Sequence, residues 1–207
     1  MNKSSGLKAT FLIATLKPAA ELSHTEILSR LLGDALSPLG VESEWIHLAD
    51  RNIELGTKND MGKDDEWPAI LEKLFASDIV IFGTPTWWGS HSSLMQKVLE
   101  RMDNVRGDEF TKTGKSPFNN KVGAIIVTGA QDGAEQIIGH LMMVMSWVGF
   151  TIAPAGSLSI IAASNYSSDN EKEIRTSYQK EYGAMAKVTA QNIANLAALL
   201  KKRSASE

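Results

Sequence analysis

The chain has 207 residues, 43% of them hydrophobic and 22% charged, which suits one domain with a real core and excludes a disordered chain. Lys and Arg number 21 against 24 Asp and Glu, a formal net charge of −3, which argues against a dedicated nucleic-acid binder and against an acidic carrier that docks by charge alone. There is no cysteine, which excludes a disulfide framework, a thiolate nucleophile, thiolate-bound zinc and a cysteine-ligated iron–sulfur cluster.

Apolar runs and amphipathic segments alternate along the chain. Residues 9–16 follow Lys3 and Lys8, but the run is short, carries two threonines and meets Lys17-Pro18 without a small-residue cleavage site. It reads as a first buried strand, Phe11–Ala14, rather than a signal peptide. Ile27, Leu28, Leu31, Leu32 and Leu36 repeat at helical spacing until Pro38 and Gly40. Val41–Leu48 alternates as a second strand, residues 52–66 are polar and loop-like, and Trp67-Pro68 opens a short helix. Ile79–Phe82 is the clearest strand, and Leu94, Met95, Val98, Leu99 and Met102 mark the helix after it. Residues 104–120 form a long polar loop, of the kind that serves as a lid or binding loop, and are expected near the active site.

Val122–Val127 is the fourth strand, followed by a helix carrying Ile137, Ile138, Leu141, Met142, Met145 and Val148. The Met142-Met143-Met145-Trp147 stripe of that helix is read as core. Gly156–Ala163 is the fifth strand, and 170–203 a long C-terminal helix. The apolar region Ile137–Ala163 contains His140, Gly149, Pro154 and Gly156, so it reads as a helix followed by a strand and not as a membrane span. Five strands separated by helices predict one doubly wound α/β domain over 1–207, with a parallel sheet covered on both faces. A cytoplasmic protein with no integral membrane segment is expected.

Ligands of such sheets bind beyond the carboxyl ends of the strands, near the point where strand order reverses. Three loops therefore matter. The first runs from Thr15 through Lys17 to Ser23, His24 and Thr25 at a helix start, where unpaired amides suit a phosphate; Ser23 and Thr25 equally suit a plain helix cap. The second, Gly83 to Ser93, holds Pro85, Thr86, Trp87, Trp88, Gly89 and His91. Adjacent tryptophans at a strand end suit a planar heteroaromatic ligand, or else a subunit interface. The third is Thr128-Gly129-Ala130-Gln131-Asp132-Gly133, whose glycines permit close backbone approach. His24, His47, His91 and His140 are widely spaced with no acidic cluster beside them, so no metal site is expected.

The segment Asp78-Ile-Val-Ile-Phe-Gly-Thr-Pro-Thr-Trp-Trp-Gly-Ser, leading to Leu94-Met95-Gln96-Lys97 and Arg101, resembles the flavodoxin-like NAD(P)H-dependent FMN reductase and quinone oxidoreductase family. Lys121–Gly133 and Met143–Pro154 extend the resemblance, which covers most of 9–163. It implies a flavodoxin-like fold, FMN as cofactor, NAD(P)H as co-substrate, a small-molecule electron acceptor and a homo-oligomer, either dimer or tetramer. It implies that Thr15, Lys17, Ser23, His24 and Thr25 hold the FMN phosphate. Pro85, Thr86, Trp87, Trp88 and Gly89 would line the isoalloxazine and ribityl chain, and Thr128, Gly129 and Gly133 the other side of the ring. The first loop departs from the family's glycine-rich Gly-Ser-x-Arg, having Ala14-Thr15-Leu16-Lys17-Pro18. Chemistry is then expected on the flavin. His91 is the one candidate proton donor, although a loop histidine near a helix start is the plainer explanation. Lys112 and Lys115 read as a solvated loop rather than contacts to a 2′-phosphate. Two alternatives remain at this stage: a flavodoxin-type electron carrier, and a binding module that has lost flavin.

Overall fold

In the computed structural model, which describes residues 6–105, 107–130, 133–161 and 170–204, strands and helices alternate as the hydrophobic pattern requires. The strands are β1 (Leu7–Ile13), β2 (Val41–His47), β3 (Ile79–Trp87), β4 (Ser90–His91), β5 (Val122–Gly129) and β6 (Thr151–Ile161). The helices are α1 (His24–Leu36), α2 (Trp67–Ala76), α3 (Ser93–Arg101), α4 (Gly107–Thr113), α5 (Ala134–Val148) and α6 (Glu171–Ser204). The sheet order is β2-β1-β3-β5-β6 with every pair parallel, and β4 is a short antiparallel addition to β3. The expected doubly wound, five-stranded parallel sheet is therefore present, with one extra two-residue strand. The chain leaves β1 for one side of the sheet and returns to β3 on the other, so order reverses between β1 and β3.

Alternate residues of each strand point to opposite faces. Leu7, Phe11 and Ile13 pack with α1 and α6, whereas Leu12, Val80 and Phe82 pack with α2, α3 and α5. All of β5 is buried, as a central parallel strand must be.

The structure amends several boundaries. β1 starts at Leu7, four residues before the expected Phe11, because Lys8 and Thr10 interrupt the apolar run without interrupting the ladder to β2. β3 continues past Phe82 through Gly83-Thr84-Pro85-Thr86-Trp87, so most of the expected second loop is strand. β6 begins at Thr151 and absorbs Pro154 in a register shift against β5. The last two residues of the expected fifth strand, 162–163, lie outside the described residues.

Residues 104–120 are not a plain loop beside the site. They include α4, and the segment leads into Val122 at the amino edge of the sheet, where its N–H donates to the Asp78 carbonyl at 2.9 Å. There Ser116 Oγ donates to the Val148 carbonyl, and Phe118 packs between Phe75 and Phe150 at centroid distances of 5.2 and 4.3 Å. That edge lies opposite the strand carboxyl ends. The methionine stripe of α5 is also only partly core: Met145 is fully buried, but Met143 and Trp147, one helical turn apart, are exposed.

Candidate functional site

β1 ends beside β3, where Ala14 N–H donates to the Gly83 carbonyl at 2.7 Å. One buried serine then fixes both strand ends. Ser92 Oγ donates to the Ala14 carbonyl at 2.6 Å and accepts from Met95 N–H at 3.2 Å, capping α3, while Ser92 N–H donates to Thr84 Oγ1 at 3.0 Å. Ser23 caps α1 by accepting from Glu26 N–H at 3.4 Å. The first amides of α1 lack partners within the helix, so its positive end opens toward the segment Thr15–Leu22.

Beyond Trp87 the chain reverses through Trp88-Gly89, with φ of 51° and 74°, and Trp87 pairs with Ser90. Positive φ at both positions is what a two-residue hairpin with the right-handed twist requires. A tryptophan in that region is strained by roughly 1–2 kcal/mol. Trp88 is fully exposed and Trp87 half exposed.

These segments enclose an open cleft of about 310 Å³ lined by Thr15, Leu16, Lys17, Ser23, His24, Thr25, Pro85, Thr86, Trp87, Thr128, Gly129 and Ala130. Every residue expected to hold the cofactor lines it except Trp88, Gly89 and Gly133. Those glycines meet each other beside it: a Cβ on Gly133, whose φ is 103°, would lie 2.8 Å from the Gly89 Cα. Gln131 and Asp132 lie outside the described residues.

The cleft is polar on one side. Thr25 and Thr128 hydroxyls share a hydrogen bond of 2.7 Å, joining α1 to the end of β5. Lys17 Nζ donates to the Leu22 carbonyl at 2.8 Å. Thr86 Oγ1 is buried with no partner among the described residues. His24 Nδ1 lies 2.8 Å from the hydroxyl of Tyr178, which α6 brings to the back of the cleft. Burial, and then the Lys17 charge, lower the His24 pKa, whereas burial pushes the Tyr178 hydroxyl well above the usual tyrosine range. Leu16, Ala130 and Tyr178 were not anticipated; the first two lie within the anticipated loops, but Tyr178 is a tertiary neighbour with no local sequence signal.

His91 is not part of the cleft wall. The two-residue alternation of β4 leaves Ser90 exposed and buries His91, which stacks on His140 of α5 at 5.3 Å. Burial lowers its pKa, opposed in part by its contact with the Ser92 carbonyl. A second, larger groove of about 480 Å³ lies between α3 and α5, lined among others by Leu99, Met102, His140, Met143 and Trp147. It lies away from the strand carboxyl ends and brings together none of the expected cofactor residues.

The family described as NADPH-dependent FMN reductase matches residues 8–165, a stretch that contains every cleft-lining residue. The chain belongs to that family. It is 29% identical over 160 residues to 8-demethyl-8-aminoriboflavin-5′-phosphate synthase of Streptomyces davaonensis, covering 72% of this chain and 61% of that protein. It is 30% identical over 153 residues to a protein of Mycobacterium bovis named divalent metal cation transporter MntH, covering 72% of this chain and 22% of that one. The chain thus spans about a fifth of one of these relatives and about three fifths of the other. Among its described residues no helix is long and apolar enough to cross a membrane. Its fold is similar to that of RosB with bound 8-demethyl-8-formylriboflavin-5′-phosphate, with a TM-score of 0.77 at 23% identity, covering 95% of this chain and 81% of that one. The fold agrees with the flavodoxin-like architecture, and family membership with the FMN cofactor, that the resemblance at Asp78–Ser90 implies.

Proposed function

We propose that the chain binds FMN in the cleft at the ends of β1, β3 and β5, and passes hydride from NAD(P)H through it to a small-molecule acceptor such as a quinone or a free flavin. The observation that carries this reading is the cleft itself. At the point where strand order reverses, it combines a helix start bearing hydroxyls with a flat aromatic wall and a buried hydroxyl that has no partner among the described residues.

The residues fit the group. Thr86 Oγ1, buried without a partner among the described residues, is a polar atom that a ligand in the cleft would satisfy. Thr15, Ser23, His24 and Thr25, with Lys17 nearby, suit the phosphate. Pro85, Thr86, Trp87 and the Trp88-Gly89 turn suit the ring on one side, and Thr128, Gly129 and Gly133 on the other. FMN held there would supply two-electron hydride-transfer chemistry. The chain's own part is to bind, orient and shield: backbone N–H groups of the Thr86–Gly89 turn favour negative charge on the ring edge, and the flat Trp87 limits water on one side. His91, turned toward His140, has no part in this reading. In the homo-oligomer implied by the family resemblance, the exposed Met143 and Trp147 of α5 would be covered.

An absorption spectrum of the protein with FMN, then with NADPH or NADH under anaerobic conditions, tests the reading. Flavin bands that shift on binding and bleach within seconds are expected. Bound flavin that neither nucleotide bleaches would instead fit an electron carrier, and no shift at all would remove the enzyme reading.

A further inference from the structure

The cleft has a polar connection that the family resemblance does not assign. His24, the first residue of α1, is joined by a 2.8 Å contact to the hydroxyl of Tyr178, 154 positions later in the chain. Tyr178 is fully enclosed between α1 and α6, whereas His24 is half-buried and lines the cleft. The contact occupies Nδ1, so Nε2 is the remaining polar atom of the ring.

We propose that His24 and Tyr178 form a proton-linked phosphate clamp: as the phosphate of FMN binds, His24 takes up one proton from solvent, donating through Nδ1–H to the Tyr178 oxygen and through Nε2–H to the phosphate. The proposal rests on the FMN reading of the cleft. Tyr178 acts as a positioning residue, holding the imidazole without itself touching the ligand.

The surrounding groups support this assignment. Lys17, from the segment between β1 and α1, is the charged neighbour of His24, and together with burial it keeps the ring neutral until a negative group arrives. On the α6 side, Tyr182 and Glu181 act on Tyr178 and, with burial, keep its hydroxyl protonated. A neutral phenol oxygen can accept from an imidazolium without itself becoming charged. Thr25 and Thr128 add hydroxyls but no charge. A phosphate dianion is the only group the reading brings to this end of the cleft that would favour the charged imidazole over the neutral one. The sign follows by linkage: a ligand that raises the His24 pKa binds with proton uptake, so its affinity falls as pH rises toward the bound-state pKa.

The test compares FMN with riboflavin, which lacks the phosphate, by calorimetric titration at pH 7.0–8.5 in two buffers of different ionisation enthalpy. For the unaltered protein, FMN binding should show proton uptake and a Kd that rises by up to about tenfold per pH unit, while riboflavin binding stays flat. Tyr178→Phe should weaken FMN at pH 7.5 by roughly tenfold, the size expected for a lost hydrogen bond to a charged group, and reduce proton uptake while leaving riboflavin unchanged. His24→Gln, which keeps a neutral donor, should bind FMN with a flat pH profile. FMN-selective binding without proton uptake, or a Tyr178→Phe variant that keeps the wild-type profile, would overturn the clamp while leaving the cofactor reading intact. Equal affinity for FMN and riboflavin, or none for either, would remove both.

Discussion

Replacing Asp65 by asparagine removes one charge from a pair that is wholly enclosed. Arg101, in the last turn of α3, places Nη2 2.6 Å from Asp65 Oδ2 and Nη1 3.0 Å from Oδ1, with both side chains inaccessible to solvent. The remaining guanidinium bonds go to the carbonyls of Glu54, Lys58 and Asn59 at 2.9, 2.9 and 3.2 Å. Asp65 in turn accepts from the backbone N–H groups of Glu54, Met61 and Trp67 at 3.2, 3.0 and 3.2 Å. One ion pair thus fastens the whole polar segment 54–66 to α3.

Burial opposes ionisation of Asp65, but Arg101 and the three amides outweigh it and hold the carboxyl at about 2 against an ordinary 3.8. At about 1.4 kcal/mol per tenfold, that difference is a contribution of about 2 kcal/mol. A carboxylate with a depressed pKa stabilises fully above the unfolded-state value and loses that contribution as pH falls through the folded one. The contribution is therefore complete above pH 5, roughly halved at pH 3 and almost gone by pH 2.

Asp65→Asn also leaves the Arg101 charge enclosed without its partner, so the expected loss at pH 7 is about 3–5 kcal/mol. Urea unfolding at pH 7 and at pH 3, followed by tryptophan fluorescence, measures it. The loss should be about 1 kcal/mol smaller at pH 3, because the unaltered protein has by then given up that much. A loss below 1 kcal/mol at pH 7, or an equal loss at both pH values, would refute the reasoning.

Three further substitutions address the cleft. Gly133→Ala would drive a Cβ to 2.8 Å from the Gly89 backbone and is expected to weaken FMN binding at least tenfold by fluorescence titration; unchanged affinity would mean that the two turns need not touch. Ser92→Ala removes the α3 cap and the bond to Ala14 together and should cost about 1–3 kcal/mol in urea unfolding, whereas a loss within error would show that water replaces both. Trp88→Asn suits the left-handed conformation at φ 51° and should raise stability by about 1 kcal/mol in the same assay; a fall would show that the exposed indole packs on something.

Much of this architecture was legible in the sequence because its central strands are continuous apolar runs. Ile79–Phe82 and Val122–Val127 cannot be other than buried, and they fix the sheet. The hairpin beyond Phe82 was hidden, since Gly83, Thr84 and Pro85 are residues of turns, yet here they continue a strand whose pairing to β5 is tertiary. The Trp88-Gly89 pair held the clue, a residue followed by glycine between two strand segments, but an aromatic residue in its first position masks that signal. Pro154 hid the start of β6 in the same way. The cleft residues were legible as loop chemistry at strand ends. Tyr178 was not, because its position depends on how a long helix with few strongly apolar turns lies across α1, which no local pattern encodes.

The two outer strands of the sheet differ from its centre in what they offer a passing chain. β6 sets the four residues 153–156 against the single Ala124 of β5, with Pro154 and a positive φ at Ala155, and Asn192 of α6 donates to the Pro154 carbonyl at 2.8 Å. β2, at the other border, presents Glu42 and Glu44 to solvent. A proline, an irregular backbone and paired acidic side chains all spoil the ladder that another extended segment would need to zip onto the rim. Sheet growth through either border is thereby disfavoured, and in the homo-oligomer proposed above the contact between copies would fall to helix faces.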